Sequence, residues 1–109
     1  MGVVMSIQTL IKQCKKILVR HYGARFQGLV LYGSVASRKF AKESDIDLLV
    51  LLKKQGNYLK ELRRLTGLLY PVQLESDRLI SAKPADYIAF DKGDVQLYRN
   101  AKKHGMLVW

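Results

Sequence analysis

The sequence predicts an α/β (α+β) domain in which helices pack on a β-sheet. Segments with helical spacing of apolar residues alternate along the chain with short strand-like runs. The run at residues 48–52, LLVLL, is apolar throughout, which is typical of a central strand covered on both faces. The length of 109 residues and the hydrophobic content of 49% fit a single domain, residues 1–109, with a modest core.

The first third of the chain predicts a helix followed by a strand. Ser6 is a suitable N-cap, and Gly23 can end the helix. Between them an apolar stripe recurs at helical spacing, formed by Ile7, Leu10, Ile11, Cys14, Ile17 and Leu18. Residues 27–32 then form the first strand, which Gly33 breaks.

The rest of the chain predicts further alternation of helices and strands. Residues 34–40 read as a short helix, 45–52 as the second strand and 53–56 as a turn. Asn57 caps a second long helix that runs to about residue 68, and Pro71 stops it. Residues 72–81 read as a third strand. Pro84 opens a short helix, Asp94 caps a last helix that ends before Gly105, and residues 106–109 add an edge strand or dock on the core.

The charge of the chain indicates an anionic partner. The 19 basic and 9 acidic residues give a formal net charge of +10, which suits nucleotide phosphates, nucleic acid or an acidic protein surface, although many of the lysines can simply aid solubility. The single cysteine, Cys14, excludes an internal disulfide and fits a core position. Since no apolar run approaches the roughly 20 residues that span a bilayer, and no signal peptide is evident, we expect a cytoplasmic protein with no membrane partner.

Two short motifs carry the chemistry. Asp45 and Asp47 lie two residues apart and therefore share one face of the second strand. Their mutual repulsion would be relieved by a divalent cation, and Mg²⁺ fits better than Zn²⁺ because the sequence has no Cys/His cluster. Gly33 and Ser34 end the preceding strand and offer backbone N–H groups and a hydroxyl to an anion. Together they suggest a metal-bound nucleoside triphosphate.

Gly33-Ser34, ten intervening residues and Asp45-Ile46-Asp47 match the signature of the DNA polymerase β-type nucleotidyltransferase superfamily. Residues 44–48, SDIDL, are similar to the form seen in its minimal nucleotidyltransferases, and residues 98–105 resemble the final helix of such domains. The resemblance implies a small mixed β-sheet with helices packed on it, a nucleotidyltransferase-like fold. It assigns Gly33 and Ser34 to the triphosphate of ATP, and Asp45 and Asp47 to Mg²⁺.

The resemblance also implies a third carboxylate on a later strand, as a base or metal ligand. Asp77 is our candidate for this catalytic position, and Glu75 is the alternative on the same face of the predicted strand. A third reading takes Val72-Gln73-Leu74 as a Val-Asp-Leu motif that has lost its acid, in which case catalysis is weak or absent. The family's helix-start arginine has its nearest counterpart in Arg38.

The function implied by the resemblance is Mg²⁺-dependent transfer of AMP from ATP to a hydroxyl acceptor. Minimal domains of this family often pair with a small helical protein of the HEPN type, for which they act as antitoxins, and this implies such a partner here. Two alternatives stay open. One is a non-catalytic nucleotide-binding or interaction module of the same fold. The other is a basic RNA-binding domain, which ranks last because no RNA-stacking motif is evident.

Overall fold

The computed structural model describes residues 6–33 and 45–108, which build a four-stranded sheet with helices on both faces. The strands lie in the order β3-β2-β1-β4, so β2 and β1 are central. In chain order the elements are α1 (Ile7–Tyr22), a 3₁₀ turn (Gly23–Arg25), β1 (Phe26–Tyr32), β2 (Ile46–Leu52), α2 (Tyr58–Leu74), β3 (Ile80–Asp86), α3 (Tyr87–Lys92), α4 (Gln96–His104) and β4 (Met106–Leu107).

The sheet is mixed, which confirms the predicted fold class. β1 runs antiparallel to both β2 and β4, whereas β2 and β3 run parallel. In this register Tyr32 lies opposite Asp47, and Asp47 lies beside Ser81 on the other side. Met106 and Leu107, which follow Gly105 at the end of α4, form an edge strand, one of the two outcomes expected for the C-terminal segment.

The core has two layers, one on each face of the sheet. α1 and α2 cover the face that carries Leu29, Leu48 and Val50, while α3 and α4 cover the face that carries Leu49 and Leu51. Both layers are built from residues that are almost fully buried, as the uninterrupted apolar run in β2 predicted. The helix over residues 7–22 also agrees with the prediction, with the Ser6 side chain accepting a hydrogen bond from the backbone N–H of Thr9.

Helix α2 is longer than the sequence predicted. Pro71 does not stop it; the helix continues through this residue to Leu74. The reason is burial, because Leu65, Leu69 and Val72 continue one apolar stripe at helical spacing and pack against the sheet. Pro71 itself is exposed, and the residue four positions before it is Gly67. The cost of the missing hydrogen bond is therefore offset by packing on the opposite side of the helix.

The third strand was predicted in the wrong place. Residues 72–74 are helical and the strand is Ile80–Asp86, so the strand predicted at 72–81 is wrong. The short helix predicted from Pro84 begins three residues later, at Tyr87. Pro84 is instead paired with Val50 inside β3. This is tolerated because β3 is an edge strand, where a residue without an N–H can face away from the ladder.

The end of the chain differs from the prediction only at the helix starts. The short helix α3 begins after Asp86, whose side chain accepts a hydrogen bond from the N–H of Ala89. The N-cap of α4 is Val95 and not Asp94, while Gly105 follows the helix as expected. The predicted short helix at residues 34–40 lies outside the described residues.

Within the described ranges, no helix combines the length and the apolar character that crossing a membrane requires.

Candidate functional site

The predicted site residues meet where β1 ends and β2 begins. Asp47 is the second residue of β2 and is half-buried, and Asp45 precedes the strand and is exposed. Side chains alternate along a strand, so Asp47 points to the same face as Leu49 and Leu51, the face that α3 and α4 cover. Ser34 lies outside the described residues, as does Arg38, so Gly33 is the described half of the Gly-Ser motif.

Asp47 is an unfavourable place for a negative charge in the absence of a cation. Its burial raises the pKa of the Asp47 carboxyl above the ordinary value, and the charge on Asp45 raises it further. Lys83 acts in the opposite direction and lowers that pKa. A bound cation would relieve the cost of placing the Asp47 charge beside that of Asp45.

Gly33 brings the backbone against the carboxylate of Asp47. Its φ of +80° lies in the left-handed region that glycine adopts readily. A Cβ at this position would overlap Oδ2 of Asp47 and come within 3.2 Å of its Cγ. This position therefore requires glycine for two reasons: the positive φ, and the lack of space for a Cβ beside Asp47. It joins the two halves of the sequence motif in one place.

A pocket of about 400 Å³ opens beside this junction. Tyr32 and Gly33 line it from the end of β1, and Asn100 and His104 line it from α4. The Tyr32 hydroxyl is buried and has no hydrogen-bond partner among the described residues. Burial, together with the neighbouring Asp47, raises the pKa of Tyr32 to about 12, so this hydroxyl remains a donor at neutral pH.

The carboxylate pair fits a hard divalent cation. Asp45 and Asp47 supply oxygen ligands, and their mutual repulsion gives a cation a favourable place between them. Across residues 6–33 and 45–108, no group of three His, Cys, Asp or Glu residues is arranged to hold a metal. Mg²⁺ is commonly held by one or two carboxylates together with substrate phosphates and water, so two protein ligands suit a metal that arrives with a nucleotide.

The three candidates for a third carboxylate do not lie on a strand. Gln73 is in α2, Glu75 caps that helix, and Asp77 is exposed in the turn before β3. The shared strand face on which Asp77 was chosen is therefore absent. Gln73 has a structural role instead, since its amide nitrogen donates to the carbonyl of Arg78 at 2.9 Å and its amide oxygen accepts from the N–H of Ile80 at 2.7 Å.

The strand that does lie beside Asp47 carries other residue types. In β3, Ser81 pairs with Asp47 and Lys83 pairs with Leu49, so both share the face of Asp47. The one carboxylate of β3 is Asp86 at its far end, beside Leu52, where it caps α3. The register thus places a serine and a lysine where the resemblance implied an acid.

Sequence reasoning missed Tyr32, Lys83 and the α4 residues of the pocket. Tyr32 directly precedes Gly33, and that adjacency was a usable signal. No signal in the sequence pointed to Lys83, because its position near Asp47 depends on where β3 starts and on the register of β3 with β2.

Comparison with known proteins identifies the family of the chain. The family model described as polymerase beta, nucleotidyltransferase, matches residues 12–109. The chain belongs to this family. One relative is a protein of Methanocaldococcus jannaschii that carries the name protein adenylyltransferase MJ0141. It is 32% identical to this nucleotidyltransferase domain over 77 residues, which are 71% of this chain and 77% of the relative.

Two solved structures share the fold of the domain. A crystal structure assigned to a nucleotidyltransferase from Sulfolobus solfataricus superposes with a TM-score of 0.66 at 18% identity, covering 94% of this chain and 79% of the other. A crystal structure of a toxin-antitoxin with AMP-PNP superposes with a TM-score of 0.56 at 18% identity, covering 95% and 73% of the two chains. At this identity the likeness concerns the fold.

Proposed function

We propose that this nucleotidyltransferase domain transfers AMP from ATP to a hydroxyl group of another protein, in the cytoplasm and with Mg²⁺. The observation that carries the proposal is the convergence of Gly33, Asp45 and Asp47 at one end of the sheet, beside a pocket of about 400 Å³. That volume lies within the range of ligand sites, roughly 300–1,000 Å³. The relative named as a protein adenylyltransferase supports AMP and a protein acceptor.

The chain's residues have distinct parts in this proposal. Asp45 and Asp47 hold the cation, and the backbone at Gly33 borders the triphosphate. Mg²⁺ when bound neutralises phosphate charge and favours attack by the acceptor oxygen. The buried Tyr32 hydroxyl, unpartnered within the described residues, is a donor that a nucleotide could satisfy. Ser34 is proposed as a further triphosphate contact on the basis of the sequence motif.

We propose that the acceptor is a small helical protein of the HEPN type, with this domain as its antitoxin. The fold shared with a toxin-antitoxin structure that contains AMP-PNP supports this choice. The net charge of +10 suits a partner with an acidic surface.

A second candidate is a nucleotide-binding module without transferase activity. One observation favours it: in the described residues, the face of β3 beside Asp47 carries Ser81 and Lys83 and no acid that could act as base. Asp77 remains our candidate for the third carboxylate that the resemblance implies, and it lies in the turn before β3 instead of on a strand.

Two measurements test the proposal. Calorimetry with ATP should show binding that needs Mg²⁺ and that weakens strongly in Asp47→Asn, because the paired carboxylates hold the cation. The variant should fold, since removing one charge relieves the repulsion between Asp45 and Asp47. Equal ATP affinity in the wild type and the variant would refute the metal site.

Transfer itself is measured with ATP labelled at the α-phosphate and a helical partner purified with the domain from its host. Label on the partner that disappears in Asp47→Asn supports AMP transfer. Binding of ATP without any labelled product, with partner present, would select the non-catalytic module. Asp77→Asn should abolish the label and leave ATP binding largely intact if Asp77 is the base.

A further inference from the structure

Lys83 is a half-buried lysine next to the candidate site. It lies on β3, one strand away from Asp47 and two residues further along, on the same face of the sheet. Strand spacing and rise put the two Cα atoms roughly 8 Å apart, which a lysine side chain can span in part. The effect of Lys83 on the pKa of Asp47 agrees with this proximity.

The ammonium of Lys83 is not committed to a partner within residues 6–33 and 45–108. The ion pairs of this part of the chain join Arg25 and Arg64 to Glu61, and Lys102 to Asp91. No described carboxylate lies within 4.0 Å of the Lys83 nitrogen, Asp47 included. A half-buried lysine left without an anion next to a carboxylate pair has the chemistry to receive a phosphate.

A triphosphate bound through one Mg²⁺ keeps excess negative charge. A second positive charge near the carboxylate pair would balance it, and here β3 offers an ammonium where a metal-binding acid was expected. Lysine is a compact point charge that suits phosphate oxygens without demanding a fixed fork geometry. The side chain of Ser81, on the same face, cannot supply that charge.

We propose that Lys83 is a phosphate-binding residue of this site, contacting the nucleotide held at Asp45 and Asp47. The inference rests on the proposed function and deepens it. It assigns β3 a role in binding substrate charge and not in proton abstraction.

The test is nucleotide binding in Lys83 variants, read by calorimetry in the presence of Mg²⁺. Loss of one charge-assisted contact predicts an ATP dissociation constant about tenfold higher in Lys83→Ala. Adenosine, measured by competition, should bind the variant and the wild type alike, because it has no phosphate. Lys83→Arg should restore most of the ATP affinity, since it returns the positive charge.

Lys12→Ala is the matched control. It removes the same charge from an exposed position on α1, the helix on the opposite face of the sheet, and should leave ATP affinity unchanged. Unaltered ATP affinity in Lys83→Ala would overturn the inference, and so would an equal loss for ATP and adenosine, which would indicate a structural role.

The same titrations separate this inference from the proposed function. If Asp47→Asn loses ATP while Lys83→Ala keeps it, the nucleotide site stands and the role of Lys83 is wrong. If the wild type binds no ATP, both are wrong.

Discussion

At the residue scale, Gly33 and Asp47 show how closely the two motifs depend on each other. The backbone of Gly33 can approach the Asp47 carboxylate only because it has no Cβ and tolerates a positive φ. Both properties are needed together, because even a small side chain disfavours the positive φ of this position. The motif is therefore a packing requirement as well as a chemical one.

Gly33→Ala should weaken both the fold and ATP binding. Forcing alanine into the left-handed region costs about 1–2 kcal/mol, and the new methyl group displaces the Asp47 carboxylate from its position. Urea denaturation measures the first effect and calorimetry with ATP and Mg²⁺ the second.

Gly67→Ala is the control for that experiment. Gly67 lies in α2 with open space around the added methyl group, so alanine should stabilise the protein by up to about 1 kcal/mol and leave ATP binding as it is. A Gly33→Ala variant that binds ATP like the wild type would show that the glycine does not position Asp47.

A second residue-scale feature is the buried Glu61 on α2. It accepts a hydrogen bond from the Tyr22 hydroxyl at 2.6 Å and forms ion pairs with Arg25 and Arg64. Burial and the bond to Glu61 raise the pKa of Tyr22. The Glu61 carboxylate, with these three partners, links α1 to α2. Its role is structural, because it lies on the face of the sheet away from the candidate site.

At the element scale, the connection between α2 and β3 decides which residues face Asp47. The Gln73 amide joins the end of the helix to the start of the strand through its bonds to Arg78 and Ile80. Ile80 in turn pairs with Ile46, and the backbone N–H of Ile46 donates to the carbonyl of Leu79 at 2.8 Å. This connection fixes the register that brings Lys83 near Asp47.

Gln73→Ala should therefore destabilise the protein without weakening ATP binding. Two lost hydrogen bonds in a partly buried turn predict a loss of about 1–3 kcal/mol in the free energy of unfolding. Chemical denaturation measures this, with Gln8→Ala, at an exposed position of α1, as the control that should change little.

A second variant, Gln73→Asp, separates two interpretations of Gln73. Were it the remnant of a catalytic acid next to the metals, Gln73→Asp would strengthen metal-dependent binding. Since its amide bridges a turn, Gln73→Asp should instead lose the donated bond to Arg78 and gain nothing at the site.

At the scale of the whole molecule, positive charge is spread over the helices that cover one face of the sheet. Lys12, Lys16 and Arg20 are exposed on α1, and Arg63 is exposed on α2. Arg64, also exposed on α2, is already paired with Glu61. The α1 row is thus the better candidate for an electrostatic interface.

We predict that association with an acidic helical partner slows as salt is added. Exposed charge pairs act mainly on the association rate, so the rate constant should fall with ionic strength and fall further in a variant with Lys12 and Lys16 both changed to Glu. Stopped-flow mixing at several salt concentrations measures this, with Lys92→Glu on α3, on the opposite face, as control. An association rate that is indifferent to salt would argue against this surface.

The sequence by itself determined the parts of this protein that depend on neighbouring residues. Three local patterns were enough: the capped α1 helix, the apolar β2 strand and the spacing from Gly-Ser to Asp-x-Asp. Together with the family resemblance that rests on this spacing, they predicted the fold class and the family. The tertiary structure decided what local patterns cannot contain. Burial of Val72 extended α2 through Pro71, an edge position admitted Pro84 into β3, and the parallel pairing of β3 with β2 set Lys83 and Ser81 beside Asp47. The physical reason is the same in each case: the free energy of packing against a distant segment outweighed the local preference of the residue.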